Sequence, residues 1–376
     1  MLKRLRSGLL AAMLLCVGCA PGGVVVHETA PAALSAWGLM TSDGQQLQLG
    51  DGVTPYQLNA TLFTDYAHKL RTVSLPPGTQ ATVMPDGRLD FPLGTVISKT
   101  FFYPRVSGAL VQVVDAESVL DASLGRNGGL DLTQVQLIET RLLVRRSSGW
   151  VGLPYVWNAT QTEASLEVTG DIKSLTLVHQ ETATATDFPY IVPDQNQCAG
   201  CHNTDTASRQ MNPIGPRLAN LNRSLTGKVP DLNQLDYWQQ LGILQLDGTV
   251  ADQPRLVAWQ DATQNLNDRA RSYLDSNCGH CHSSTGAGDT SGLYLDIGTN
   301  NPVRLGECKL PIAAGQGTGG HRFSIVPGDP EHSILVFRMQ TRDPGAMMPE
   351  LGRSLVHAEG VDLISAWIAA LPGHCS

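Results

Sequence analysis

"QNQCAGCH" (residues 195–202) and "DSNCGHCH" (residues 275–282) place a Cys-x-x-Cys-His twice in one chain. The reading of this pattern decides how the carboxyl half folds. On a helical turn the two thiols of such a motif line one edge, and the histidine that follows directly lies beneath whatever the sulfurs hold. Covalent attachment of a c-type haem needs that arrangement. Cys198 with Cys201, and Cys278 with Cys281, are the candidate thioether pairs, and His202 and His282 the candidate proximal iron ligands. Zinc held by the four cysteines is a rival. The span between the pairs is far longer than in zinc ribbons, and zinc gives neither histidine a role. A redox dithiol is a second rival, but neither copy follows a strand in a βαβ setting. Two covalently bound haem c groups are the expected cofactors.

Working outward, the region from 190 to the end reads as short helices joined by short loops. "NQLDYWQQLGIL" (233–244) has Leu235, Trp238, Leu241 and Leu244 at helical spacing, with Asp231 as the candidate N-cap. Asn267–Asn277 reads as a helix that delivers the second motif. Asp329 and Pro330 read as the N-cap and first residue of another helix. In the last helix Val361, Ile364, Trp367, Ile368 and Leu371 share a face. Residues 45–182 differ in kind: short runs of β-branched and aromatic residues alternate with Gly, Asn, Asp and Ser turns, and Ser147-Ser148-Gly149 reads as a hairpin. The expected fold class is α+β and multidomain. An antiparallel β-sandwich-like domain (34–189) precedes two small all-α cytochrome c-like haem modules (190–250 and 260–376).

The amino terminus, "MLKRLRSGLLAAMLLCVGC", has three basic residues, an apolar run from Leu9 to Val17 and a small residue before Cys19. It reads as a signal peptide over 1–18, too short to span a bilayer permanently. The end of the signal resembles a bacterial lipobox, although Cys16 stands where Leu is usual. That resemblance implies lipidation at Cys19, a tether over 19–33 and, since Ala20 is not Asp, the periplasmic side of the outer membrane. Contact with the membrane is then through the lipid anchor only. Removal of three basic and no acidic residues takes the formal charge from -8 to -11. This balance disfavours nucleic acid as a partner and suits a basic redox partner protein. With the motif cysteines, Cys16 and Cys19 assigned, Cys308 and Cys375 remain as a pair for a disulfide.

Residues 278–371, "CGHCH…SGLYLD…IVPGDPEHSIL…MMPE…LISAWIAAL", resemble a class I-like cytochrome c domain. The chain after its tether resembles a family of exported di-haem c-type cytochromes of bacteria, sharing "PYQLNATLFTDYAHKLR", "FPLGTVISKTF", "ETRLLVRRSSGWVGLPYVWN" and "PIGPRLANLN". The resemblance implies that Met348, ahead of Pro349 and the last helix, is the distal thioether ligand of the second haem. It also implies that the Pro216 carbonyl accepts a hydrogen bond from His202 Nδ1 and so orients the ring. Genes of this family often neighbour one for a parallel β-helix protein, which implies a partner. For the first haem Met211 is the nearest methionine and the candidate distal ligand, with His68, His179, His321 and His357 as alternatives.

Two further stretches carry less. "GQGTGG" (315–320) follows no strand and reads as a loop rather than a nucleotide site. Asp65, His68, Lys69 and Arg71 in "TDYAHKLR" read as a polar face. The expected activity is electron transfer. The alternatives are a peroxidase- or oxidase-like enzyme with an open first haem fed by the second, and a β-domain binding module with a redox tail.

Overall fold

The computed structural model describes residues 23–114, 128–225, 232–312 and 314–376. The signal peptide, Cys19 and the N-cap expected at Asp231 lie outside the described residues.

Nine strands form the main sheet: β1 (Thr54–Tyr56), β2 (His68–Ser74), β3 (Val96–Val106), β4 (Ala109–Gln112), β5 (Val135–Arg146), β6 (Gly149–Trp157), β7 (Ala164–Leu166), β8 (Asp171–His179) and β9 (Ala185–Val192). The helices are α1 (Gln195–His202), α2 (Leu218–Leu221), α3 (Gln234–Gln240), α4 (Leu266–Leu274), α5 (Pro302–Leu305), α6 (Ile334–Gln340) and α7 (Ala358–Ala369). A β-rich amino-terminal part followed by helices is thus the architecture, and the α+β class holds.

The sandwich expected at 34–189 is corrected in its topology. The long β3 divides the sheet. Its first residues, from Val96, pair with β2, and its end turns into β4. β8 then runs parallel to β4, Leu177 against Leu110, so the sheet is mixed. A parallel neighbour needs a long crossover, and here the hairpins β5 to β7 supply it. Arg146 and Gly149 close the β5–β6 hairpin where the Ser-Ser-Gly turn was expected.

Alternation gives each face of the sheet its own layer. Leu70, Phe102, Leu142 and Val144 point into a core with Trp37, Leu47 and Tyr155. On the opposite face Val73 and Ile97 pack with Leu218, Leu221, Leu235 and Trp238. The segment expected to form a first haem module therefore shares its core with the sheet. Leu244 and Gln245 add to it, pairing in parallel with Ala81 and Thr82. Asn233, accepting from the Leu235 amide at 2.8 Å, caps α3, which ends before Leu241 and Leu244.

The last third has its own core, in which Ala270, Tyr273 and Leu274 of α4 meet Val361, Ile364, Trp367 and Ile368 of α7. Gly360 lets these helices approach, since a Cβ there would lie 2.2 Å from Tyr273 Oη. The N-cap expected at Asp329 is corrected: α6 begins after Ser333. Asp329 instead holds the preceding turn, accepting from the His332 amide at 3.2 Å, while Ser333 Oγ donates to the Asp329 carbonyl at 2.8 Å. Cys308 and Cys375 are joined in a disulfide with Cα atoms 5.3 Å apart. Among the described residues no helix is long and apolar enough to cross a membrane.

The bridge closes a loop with a sequence separation of 67. Cys308→Ala with Cys375→Ala is expected to cost on the order of 4 kcal/mol by the loop-entropy relation, read as a fall in the denaturant midpoint of unfolding. An unchanged midpoint would show the bridge to be without stabilising effect.

Candidate functional site: two cysteine motifs around one cationic cavity

The first motif, residues 198–202, forms the carboxyl-terminal part of α1. A capping box starts the helix: the Gln197 amide donates to Asp194 Oδ1 at 2.7 Å, and the Asp194 amide to Gln197 Oε1 at 3.0 Å. α1 lies against β6 at Gly152, where a Cβ would come within 2.9 Å of Cys198 Cβ and 3.2 Å of Met211 Cε. Only glycine admits so close a helix–strand approach. After His202 the chain folds back, and the Asn212 amide donates to the His202 carbonyl at 2.9 Å. His202 Nδ1–H donates to the Asn212 carbonyl at 2.7 Å. Nε2 is left as the lone-pair nitrogen, the state that a metal ligand requires.

The acceptor expected at Pro216 is thereby corrected to Asn212, which lies nearer in sequence on the returning loop. Pro216 forms part of the cavity wall. Met211 pairs through its backbone with Asn203 and packs beside Cys198 and the Trp238 core. It does not reach the wall of the cavity. His68, His179, His321 and His357 are likewise absent from that wall. His357 is a core residue: it is stacked on Phe63 with ring centroids 4.2 Å apart and bonded through Nδ1 to Tyr273 Oη at 2.9 Å.

The second motif follows α4, whose last turn widens into a π-helical turn at Asp275–Gly279. Arg217 holds Asp275 at 3.1 Å, and Asp275 Oδ1 accepts from the Ile297 amide at 2.9 Å. His282 Nδ1 lies 3.4 Å from Ser291 Oγ, a long contact on the side where Gly288 leaves room for the ring. Cys278 and Met348 share the wall of a small void of about 20 Å³. That is room for about one water.

The two motifs meet. Cys201 Sγ lies 3.6 Å from His280 Nε2, and the Thr206 amide donates to the Thr285 carbonyl at 2.8 Å. Among the described residues the buried His280 Nδ1 has no hydrogen-bond partner. One cavity of about 850 Å³ is lined by Cys198, Cys201 and His202 of the first motif, by the intervening Gly279 and His280 of the second, and by Met347 from the Met348 loop, while Cys278, Cys281 and His282 are not in its wall. The volume lies in the range of cavities that hold cofactors.

The floor of this cavity is the sheet. Lys99 on β3 stands between Arg71 on β2 and Arg141 on β5, and Phe101 stands between Lys69 and Glu139. These are the residues that strand alternation turns to one face. The sequence reading missed them as a site. Its signal was the alternation in "HKLRTV", which turns His68 and Leu70 to the core and Lys69 and Arg71 to the cavity. Arg141 pairs with Glu139, Nε to Oε2 at 2.8 Å, and Tyr190 Oη donates to the same carboxylate at 2.7 Å.

Burial moves the proton equilibria in ways that bear on the chemistry. It pushes the Cys278 and Cys281 thiols up to about 12 and raises those of Cys198 and Cys201. A dithiol redox site needs the opposite shift. Burial, helped by the charge of Lys99, lowers His202 to about 3, so the ring is neutral. Burial also lowers His280 to about 4. Among the described residues no group of three or more His, Cys, Asp and Glu side chains is arranged to hold a metal ion directly. Comparison of the chain with protein families, characterised proteins and solved structures returns no match.

Gly152→Ala is expected to lower stability by about 1–3 kcal/mol through overpacking, measured by chemical denaturation; no loss would place α1 further from β6. Burial lowers His357 to about 3 from 6.5. It therefore takes up a proton on unfolding between those values, and stability present above pH 6.5 is lost as pH falls. His357→Gln is expected to flatten this acid limb in the chain without cofactor; an unaltered limb would assign the loss to other groups.

Proposed function

We propose that the chain is a di-haem c-type cytochrome that transfers electrons. The observation that carries this reading is the 3.6 Å contact between Cys201 Sγ and His280 Nε2, which sets two Cys-x-x-Cys-His motifs around one cavity. Motifs 77 residues apart in number, Cys201 against Cys278, have no reason to converge if either is a chance pattern. Cys198 and Cys201 would hold one haem and Cys278 and Cys281 the other, each with its following histidine on the iron. Bound haem supplies reversible one-electron chemistry.

The protein's own part is to position and to tune. The Asn212 carbonyl fixes the His202 tautomer and makes Nε2 a better donor. In the chain without haem the raised thiol values keep all four cysteines as protonated thiols rather than as a nucleophilic dithiol pair. Met348, beside Cys278, offers the second haem a neutral thioether, which favours ferrous iron and raises the potential. The exported, lipid-anchored setting, a basic redox partner and, separately, a neighbouring parallel β-helix protein as a partner belong to the same proposal.

A second reading has one observation behind it. Neither Met211 nor any of the four alternative histidines lines the cavity, which leaves room for an open first haem and an enzyme. Protein secreted with haem-maturation machinery decides between the two. Two haems by denatured mass and two low-spin spectra are expected for the carrier. Rapid cyanide binding to one high-spin haem would favour the enzyme. No covalent haem at all would end both readings. Met348→Ala is expected to lower the midpoint potential of one haem only, measured by redox titration; equal potentials in variant and parent would remove Met348 from the iron.

A further inference from the structure

The cavity floor carries more positive charge than the protein balances. Arg71, Lys99 and Arg141 lie side by side on three adjacent strands, where like charges repel across the sheet. Glu139 forms its ion pair with Arg141, and its charge also acts on Lys99. Arg71 is 8% exposed, lines the cavity and makes no hydrogen bond or ion pair among the described residues. Lys99 also lines the cavity, and its contact is the Phe101 ring at 5.1 Å. Lys69 donates to the Leu62 carbonyl at 3.1 Å, a neutral acceptor.

The carboxylates on the same wall are engaged elsewhere. Asp86 pairs with Arg88 and Asp275 with Arg217. Asp205 accepts from the Ala207 amide, and Asp296 from the Gly298 amide and Thr299 Oγ1. Glu350 acts on Arg338. A buried guanidinium without a counter-charge is expensive unless an anion arrives to complete it. The Phe101 ring, with Arg141 at 4.3 Å, Lys99 at 5.1 Å and Lys69 at 5.6 Å from its centroid, holds three of the cations around one fixed platform.

We infer that Arg71 and Lys99, supported by Lys69 and Arg141, form an anion-binding site for a carboxylate or small oxyanion beside the first cysteine motif. Two sources supply that chemistry. One is the propionate pair of a haem held at Cys198 and Cys201, an arm that rests on the haem reading. The other is a free anion such as formate or nitrite, which would make the cavity a substrate site. Burial lowers Lys99 to about 7, Arg71 to about 10 and Lys69 well below the usual ammonium range. A bound anion opposes these shifts by favouring the charged forms.

The test uses the secreted chain, the variants Arg71→Gln and Lys99→Gln, and Arg71→Lys as the charge-conserving control. Denatured mass first counts the haems, which separates failure of the haem reading from failure of the site. In haem-loaded protein, propionate binding predicts that each charge-removing variant lowers the midpoint of one haem and spares the other. Arg71→Lys then stays near the parent. Free-anion binding predicts saturable optical titration of the parent with formate or nitrite, weakened at least tenfold in Arg71→Gln. If the mass shows no haem, calorimetric titration of the chain with inorganic sulfate decides: binding that Arg71→Gln weakens tenfold supports the site. Should Arg71→Gln fail to fold, Lys99→Gln carries the same readouts. Unchanged potentials together with no anion binding in the parent would overturn the inference, as would absent sulfate binding in the haem-free chain.

Discussion

Three cations placed next to one another on a covered sheet face are the constraint around which the rest of the molecule is arranged. The register of β3 against β2 and β5 fixes Lys99 between Arg71 and Arg141, and period-two alternation leaves none of them free to turn away. The opposite face could not take them, because it is filled by Leu70, Phe102 and Leu142. Charges in such a position need a cavity above them rather than packed side chains. The helices accordingly stand off the sheet here and close on it further along, where Val73 and Ile97 meet Trp238. The cavity is thus a product of strand register, and the cysteine motifs are laid along its rim.

The parts legible in the sequence are those set by neighbours along the chain. The two Cys-x-x-Cys-His motifs, the hairpin at Ser147–Gly149 and the apolar face of α7 each depend on a handful of adjacent residues. The Cys308–Cys375 pairing came from counting alone, because the other cysteines had claims on them. Where reading failed, two local options competed and the sequence did not say which wins. Asn212 and Pro216 both follow His202 closely, and the antiparallel return of residues 203–211 selects the first. Asp329 is a good cap by type, yet Ser333 is the residue at which α6 starts.

The cationic floor was hidden for a different reason. Lys69 and Arg71 looked like an ordinary polar stretch because the residues that give them meaning, Lys99 and Arg141, lie in separate strands. Only pairing joins them. The parallel partnership of β4 and β8 is equally non-local, and no turn signal announces it. In the carboxyl third, by contrast, α4 and α7 carry their own stripes and find each other through apolar surface, so the elements were clear even though Gly360 as the point of approach was not.

Burial of the motif thiols orders events in time. Cys198 is 7% exposed in the finished fold, pressed against β6 at Gly152, and the Thr206–Thr285 bond joins the loops that follow the two motifs. Any machinery that must grip these sulfurs meets them while the chain is still open. If the proposed haems are attached at these motifs, loading would precede closure, since a chain that closes early presents Cys198 buried and the other three cysteines half-buried. Non-local pairings of the kind that join β4 to β8 are slow to form as a class, so the same topology would leave time for attachment before the sheet closes.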